Sequence, residues 1–167
     1  PFLVRAQTSR VAEEIRRFPA REANQAVAAD RTHCYAIDNH AIGKYDKATG
    51  ERVGGWACER GQPLIHLDSG VVHDGVLWCA HSNYPGVPMT SSIETWDAAS
   101  LEHASSHSFG IYEGSATWVD CHEGQRYVTF AHYRGGGDEP TRDPNWTTLV
   151  AFDTEWRRRQ AWVYPAE

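Results

Sequence analysis

The chain has 167 residues, 41% of them hydrophobic, and a formal charge of −6 at pH 7. That length supports one domain with a real core. No apolar run approaches the roughly 18 residues of a membrane span, and the negative charge disfavours a nucleic-acid partner, whose phosphates call for Lys and Arg.

The four cysteines, Cys34, Cys58, Cys79 and Cys121, contain no CxxC pair, which argues against a structural zinc site. Cys34 and Cys79 fall in expected strands as buried thiols. Cys58 and Cys121 fall near loops and are the pair a disulfide would join. A start at Pro1-Phe2 without Met fits a processed, secreted or periplasmic protein. A trimmed chain fits it equally, and a cytoplasmic location stays open.

In chain order, residues 10–18 (RVAEEIRRF) have two readings. They fit an outer strand, and Val11, Ile15 and Phe18 also fit the i, i+4, i+7 spacing of a helix. Next come short strands over 25–29 and 33–37 about an Asp30-Arg31 turn. An alternating strand then ends at Tyr45-Asp46, and a Lys47-Ala48-Thr49-Gly50 turn leads to a strand over 52–56. The stretch 64–83 (LIHLDSGVVHDGVLWCAHSN) reads as a hairpin about His73-Asp74-Gly75, where Asp-Gly suits positive φ. Its outer ends carry His66 and Asp68, and His81 and Asn83. A strand ending at Trp96-Asp97 and another over 103–109 follow. The third group runs through 115–119, a longer turn at 121–124, 126–130, Phe152-Asp153 and 160–164.

The aromatic-Asp marker therefore recurs at Asp46, Asp97 and Asp153, spaced by 51 and 56 residues (97 − 46 and 153 − 97). Four short strands per period is the pattern of β-propeller blades; a plain β-sandwich needs no such period. The turn KYDKATG at 44–50 resembles the turns of quinoprotein-type and YWTD/NHL-type propeller blades. The WD-repeat signature is not met. The resemblance implies an all-β propeller of four-stranded antiparallel blades. The blades are expected at 21–60, 61–112 and 113–167, with 1–20 as an outer closing strand or a helix. Three blades do not close a ring, so the chain is expected to be part of a larger ring of about six.

On a propeller frame, the loops leading into the first strands share a face with the loops between second and third strands. That gathers Asn24, His66, Asp68 and Ser115 with Asp38, Asn39, His81, Asn83 and His132. Two long loops, 82–92 and 133–146, rise from the same face, where binding tends to reside. The expected small-molecule site is Asp38, Asn39, Asp68, Asn83, Tyr84 and Tyr133. His66, His81 and His132 are candidate ligands for Zn or Fe. The Asp and Asn groups suit Ca²⁺, which gluconolactonase-like propellers hold, a parallel of fold only. Each histidine also fits a strand-end hydrogen bond or the lining of a wet channel without metal. The remaining histidines are read as surface residues.

No G-x-S-x-G elbow marks a nucleophile. If the site is catalytic, metal-assisted hydrolysis or a lyase reaction is the expectation, since a metal-bound water needs no protein nucleophile. Asp138, Glu139 and Asp143 fit further acid–base groups, and fit solvated loop charges better. The alternatives are a non-catalytic propeller whose long loops bind a protein or glycan, or one part of an assembly with another copy or the remainder of the ring. Asn145-Trp146-Thr147 fits the N-glycosylation pattern.

Overall fold

The computed structural model describes residues 11–111, 113–134 and 142–165. Within them the chain forms three four-stranded antiparallel sheets, each in simple chain order. Blade 1 holds β1 (Ala26–Ala29), β2 (His33–Asp38), β3 (Ala41–Asp46) and β4 (Arg52–Ala57). Blade 2 holds β5 (Leu67–His73), β6 (Val76–Ser82), β7 (Thr90–Asp97) and β8 (His103–Ile111). Blade 3 holds β9 (Ser115–His122), β10 (Gln125–Ala131), β11 (Thr148–Phe152) and β12 (Arg158–Val163). The innermost strands β1, β5 and β9 pack in succession, as blades do around a propeller axis.

The β5–β6 hairpin closes through Asp74 (φ 49°) and Gly75 (φ 77°), the two positive angles of a two-residue type I′ turn. Blade 3 repeats it with Glu123 (φ 48°) and Gly124 (φ 72°). The turn expected at 121–124 is therefore two residues shorter, because Cys121 and His122 still pair with β10.

The aromatic-Asp marker has a clear local cause. Asp46 Oδ1 accepts the backbone N–H groups of Ala48 and Thr49, each at 2.8 Å. Asp97 Oδ1 does the same for Ala99 (3.0 Å) and Ser100 (2.7 Å), and Asp153 Oδ1 for Glu155 (3.0 Å) and Arg157 (2.8 Å). Each carboxylate replaces backbone partners that a tight turn leaves unmet. Those N–H bonds hold all three carboxyls below their ordinary range.

The chain then needs a left-handed residue to enter the outer strand. Blade 1 supplies Gly50 (φ 80°), but blades 2 and 3 use Leu101 (φ 60°) and Trp156 (φ 62°). A non-glycine residue there costs roughly 1–2 kcal/mol. Burying a leucine side chain returns about 1.5–3 kcal/mol. Leu101 is 4% exposed in the core between blades 1 and 2, and Trp156 packs against the core between blades 2 and 3. The turn thus also serves as an inter-blade peg.

Each inter-blade core is built from opposite faces of two neighbouring sheets. Tyr35, Ile37 and Ile42 of blade 1 meet Leu77, Cys79 and Trp96 of blade 2. Ala80 and Ile93 of blade 2 meet Val119, Phe130 and Phe152 of blade 3. Strand alternation sends Ile42 and Lys44 forward to the next blade, while Tyr45 faces back. Lys44 Nζ donates to the Ala98 and Ala99 carbonyls of the next turn at 2.8 Å each.

Residues 11–20 form neither the outer strand nor the helix that their pattern allowed. Val11 and Ile15 are 89% and 93% exposed, so of the apparent helical stripe only Phe18 is partly buried. Residues 16–22 instead lie against the back of blade 1. All four cysteines are free, so the Cys58–Cys121 disulfide is absent; Cys121 lies in β9 rather than in a turn.

Replacing Leu101 with Ala removes the peg while keeping the strained angle. We expect a loss of about 2–4 kcal/mol, read from urea unfolding. Loss below about 0.5 kcal/mol would show that the turn residue does not hold the blades together.

Candidate functional site

Asn39 lies in the turn between β2 and β3, where its N–H donates to the Asp38 carboxylate at 2.8 Å. The Asn39 carbonyl accepts the Leu67 N–H at 3.0 Å, tying that turn to the start of blade 2. Its side-chain Oδ1 accepts from Gln25 Nε2 at 2.9 Å and lies 2.7 Å from His66 Nδ1. An amide oxygen carries no proton, so His66 Nδ1 is the donor. His66 Nε2 is then the free end of the ring, 3.8 Å from Asp68 Oδ2. Burial pushes the Asp68 carboxyl up, and the His66 charge pulls against that.

Two tyrosines continue the row. The His66 and Tyr84 ring centroids are 5.3 Å apart, and those of Tyr84 and Tyr133 are 5.1 Å apart. Asn39 comes from blade 1, His66 and Tyr84 from blade 2, and Tyr133 from the end of β10 in blade 3. His66, Tyr84 and Tyr133 are half-buried. Five of the residues singled out from sequence, Asn39, His66, Asp68, Tyr84 and Tyr133, thus form one polar and aromatic strip, with Asp38 bracing the turn beneath it.

The other three predicted residues have different positions. Asn83 spends its side chain on its own loop: Nδ2 donates to the Pro88 carbonyl (2.9 Å) and Oδ1 accepts the Thr90 N–H (2.7 Å). His81 is 7% exposed and sits inside β6, since that strand runs on to Ser82. Its Nδ1 is 2.9 Å from Ser92 Oγ and its Nε2 accepts the Ile65 N–H at 3.3 Å. Burial lowers its pKa, against the raising pull of Glu94. With both ring nitrogens engaged, His81 has no free lone pair for a metal.

His132 is 4% exposed and its ring lies against Gly114, where a Cβ would approach Nε2 to 2.8 Å. Among the described residues, no three His, Cys, Asp or Glu side chains gather as metal ligands. Gly135–Gly137, Asp138 and Glu139 of the second long loop lie outside the described residues. Asp143 caps the short 3-10 turn Pro144–Trp146, in which Asn145 is exposed.

A second polar group went unread in the sequence. Glu94 is 2% exposed. Its Oε1 accepts from Ser92 Oγ (2.6 Å) and Ser106 Oγ (2.7 Å), and its Oε2 pairs with His103 Nε2 at 2.8 Å. Because Ser92 gives its proton to the carboxylate, His81 Nδ1–H must donate to Ser92. The group borders a cavity of about 460 Å³ between the outer strands of blades 1 and 2, with Trp56 and Leu64 on its walls. The available signal was parity: Ser92, Glu94 and Trp96 alternate on one face of β7, and Trp96 is a marker aromatic. His103 and His107, read as surface residues, are both engaged; His107 stacks on Trp156 at 4.3 Å and 6°.

Replacing Glu94 with Ala would strip acceptors from two serines and a histidine. We expect a loss of about 2–3 kcal/mol in urea unfolding, with most of it restored in Glu94→Gln if hydrogen bonding rather than charge is the main contribution.

No family model matches this chain, and no curated protein does. Solved structures do. Hydrazine synthase of Kuenenia stuttgartiensis superimposes with a TM-score of 0.59 at 12% identity, over 83% of this chain and 36% of that one. A europium-containing methanol dehydrogenase gives 0.55 at 10% identity, over 82% and 31%. U3-55K gives 0.51 at 11% identity, over 87% and 41%. This chain therefore spans between 31% and 41% of the length of these structures. At such identities the likeness is one of fold alone, and that fold is the β-propeller.

Proposed function

We propose that the chain contributes the small-molecule-binding face of a larger propeller assembly, with the Asn39–His66–Tyr84–Tyr133 strip as its binding surface. The observation that carries this reading is that three blades deliver these groups to one continuous row. Aromatic faces beside a hydrogen-bonded imidazole suit a planar ligand with a polar edge. The partial coverage of the similar structures supports the larger assembly.

A second reading rests on His66 and Asp68. An imidazole nitrogen facing a half-buried carboxylate can share one proton, which suits acid–base chemistry of hydrolase or lyase type. A divalent cation is the other species those two groups could bind, with further donors from ligand or water.

Ligand-observed NMR with a panel of planar heterocyclic amides tests the binding reading. Binding to the wild-type chain should weaken at least about tenfold, or roughly 1.4 kcal/mol, in both His66→Ala and Tyr84→Ala. Equal binding by wild type and both variants would remove the strip from consideration.

A further inference from the structure

The three blades stack by one rule, and the rule leaves two faces to account for. The residue of each outer strand that pairs with Ile42, Ile93 or Leu149 is Trp56, His107 or Trp162. Trp56 packs edge-on against Trp96 of the following blade, with centroids 4.9 Å apart. His107 stacks on Trp156 of the following blade. Trp162 occupies the same place in blade 3 and is 41% exposed, and Trp118, at 42%, lies across the same sheet beyond Leu149 and Thr129. Among the described residues, no blade packs on this forward face.

The back of blade 1 should show the matching face, presenting Tyr45 and the turn after Asp46. It is covered instead by residues 16–22. Arg16 donates to the Ala48 carbonyl (2.5 Å) and the Thr49 carbonyl (3.2 Å), as Lys44 does for the Ala98 and Ala99 carbonyls one blade on. Phe18 lies where a Cβ on Gly50 would strike it, in the place that Leu101 and Trp156 fill with their own side chains. Glu22, 4% exposed, fills the space above Gly43 and accepts from Tyr45 Oη at 2.5 Å, Arg21 Nε at 2.9 Å and Arg52 Nε at 3.1 Å. A cation, an aromatic ring and a buried hydrogen-bonded group thus stand in for a preceding blade.

We propose that residues 16–22 are a plug, and that the face beneath it is the docking site for the Trp162 face of a second copy of this chain. The contact would continue the register of the two blade-to-blade contacts already present, with Trp162 of one copy set against Tyr45 of the other. A head-to-tail contact closes into a ring where its rotation allows. Two sets of three blades make six, within the about four to eight of known propellers. With the plug in place the contact is blocked.

Burial alone would raise the Glu22 carboxyl, but bonds from Tyr45 and Arg21 and the Arg52 charge outweigh it and hold it at about 2. A depressed carboxyl stabilises the plug above its unfolded value and loses that contribution as pH falls toward about 2. Near neutral pH Glu22 therefore stays ionised, and mutation is the way to lift the plug.

Sedimentation velocity decides the matter with three forms of the chain: wild type, the plug variant R16A/F18A/E22A, and the plug variant with W162E added. The wild type should sediment as a monomer, the plug variant at twice that mass, and the plug variant with W162E as a monomer again. Reversal by a single change on the far face separates specific docking from association through unfolding. A plug variant that stays monomeric overturns the proposal. So does association that Trp162→Glu leaves intact, or a wild type that associates as strongly as the plug variant.

Discussion

Each blade buries its faces only against its neighbours, and the rest of the molecule depends on that constraint. A four-stranded twisted sheet of this size has two apolar faces and no helix to cover either. The solution repeats at every interface: the marker aromatic faces back into the previous blade, and the residue after its Asp-stabilised turn follows it as a peg. Trp96 with Leu101, and Phe152 with Trp156, are the two instances. The hydrogen bonds at Asp97 and Asp153 make the turn tight enough to aim the peg, and apolar burial offsets the left-handed backbone it requires.

The same stacking places the polar groups of the strip. Because β1, β5 and β9 are held side by side, loops distant in sequence meet at one end of the sheets. Asn39 and His66 are 27 residues apart and share a hydrogen bond. His66 and His81 show how much position matters for one residue type. His66 precedes its strand and faces the strip with one nitrogen free. His81 lies within its strand on the parity of Leu77 and Cys79, so its ring enters the blade 1–blade 2 interface and joins the Ser92–Glu94–His103 network. One histidine is available to a ligand; the other braces a seam.

The two end faces differ in kind. The forward face of blade 3 keeps exposed tryptophans, whereas the back of blade 1 is closed by its own chain through an ion network and an aromatic ring. An apolar stripe at Val11, Ile15 and Phe18 was legible as periodicity. Yet only Phe18 is even partly buried, because its partner is Gly50 of a distant turn rather than a neighbouring helix face.

The period and its marker were enough to determine the fold class, the strand pairing within each blade and the hairpin at Asp74-Gly75. These follow from local chemistry: alternation, positive φ at Asp-Gly, and carboxylates that bond the next backbone N–H groups. The sequence also determined which loops share an end, since topology alone dictates that, and Asn39, His66, Tyr84 and Tyr133 of those loops lie in one row. What only the tertiary structure decided is which way each polar side chain is spent. Asn83 turned inward to its own loop and His81 into the interface. Glu94 proved to be a buried, fully bonded carboxylate, and residues 16–22 became a cover for blade 1. Each of these depends on partners far away in sequence and on strand ends shifted by one or two residues, and a shift of one residue reverses the face a side chain occupies.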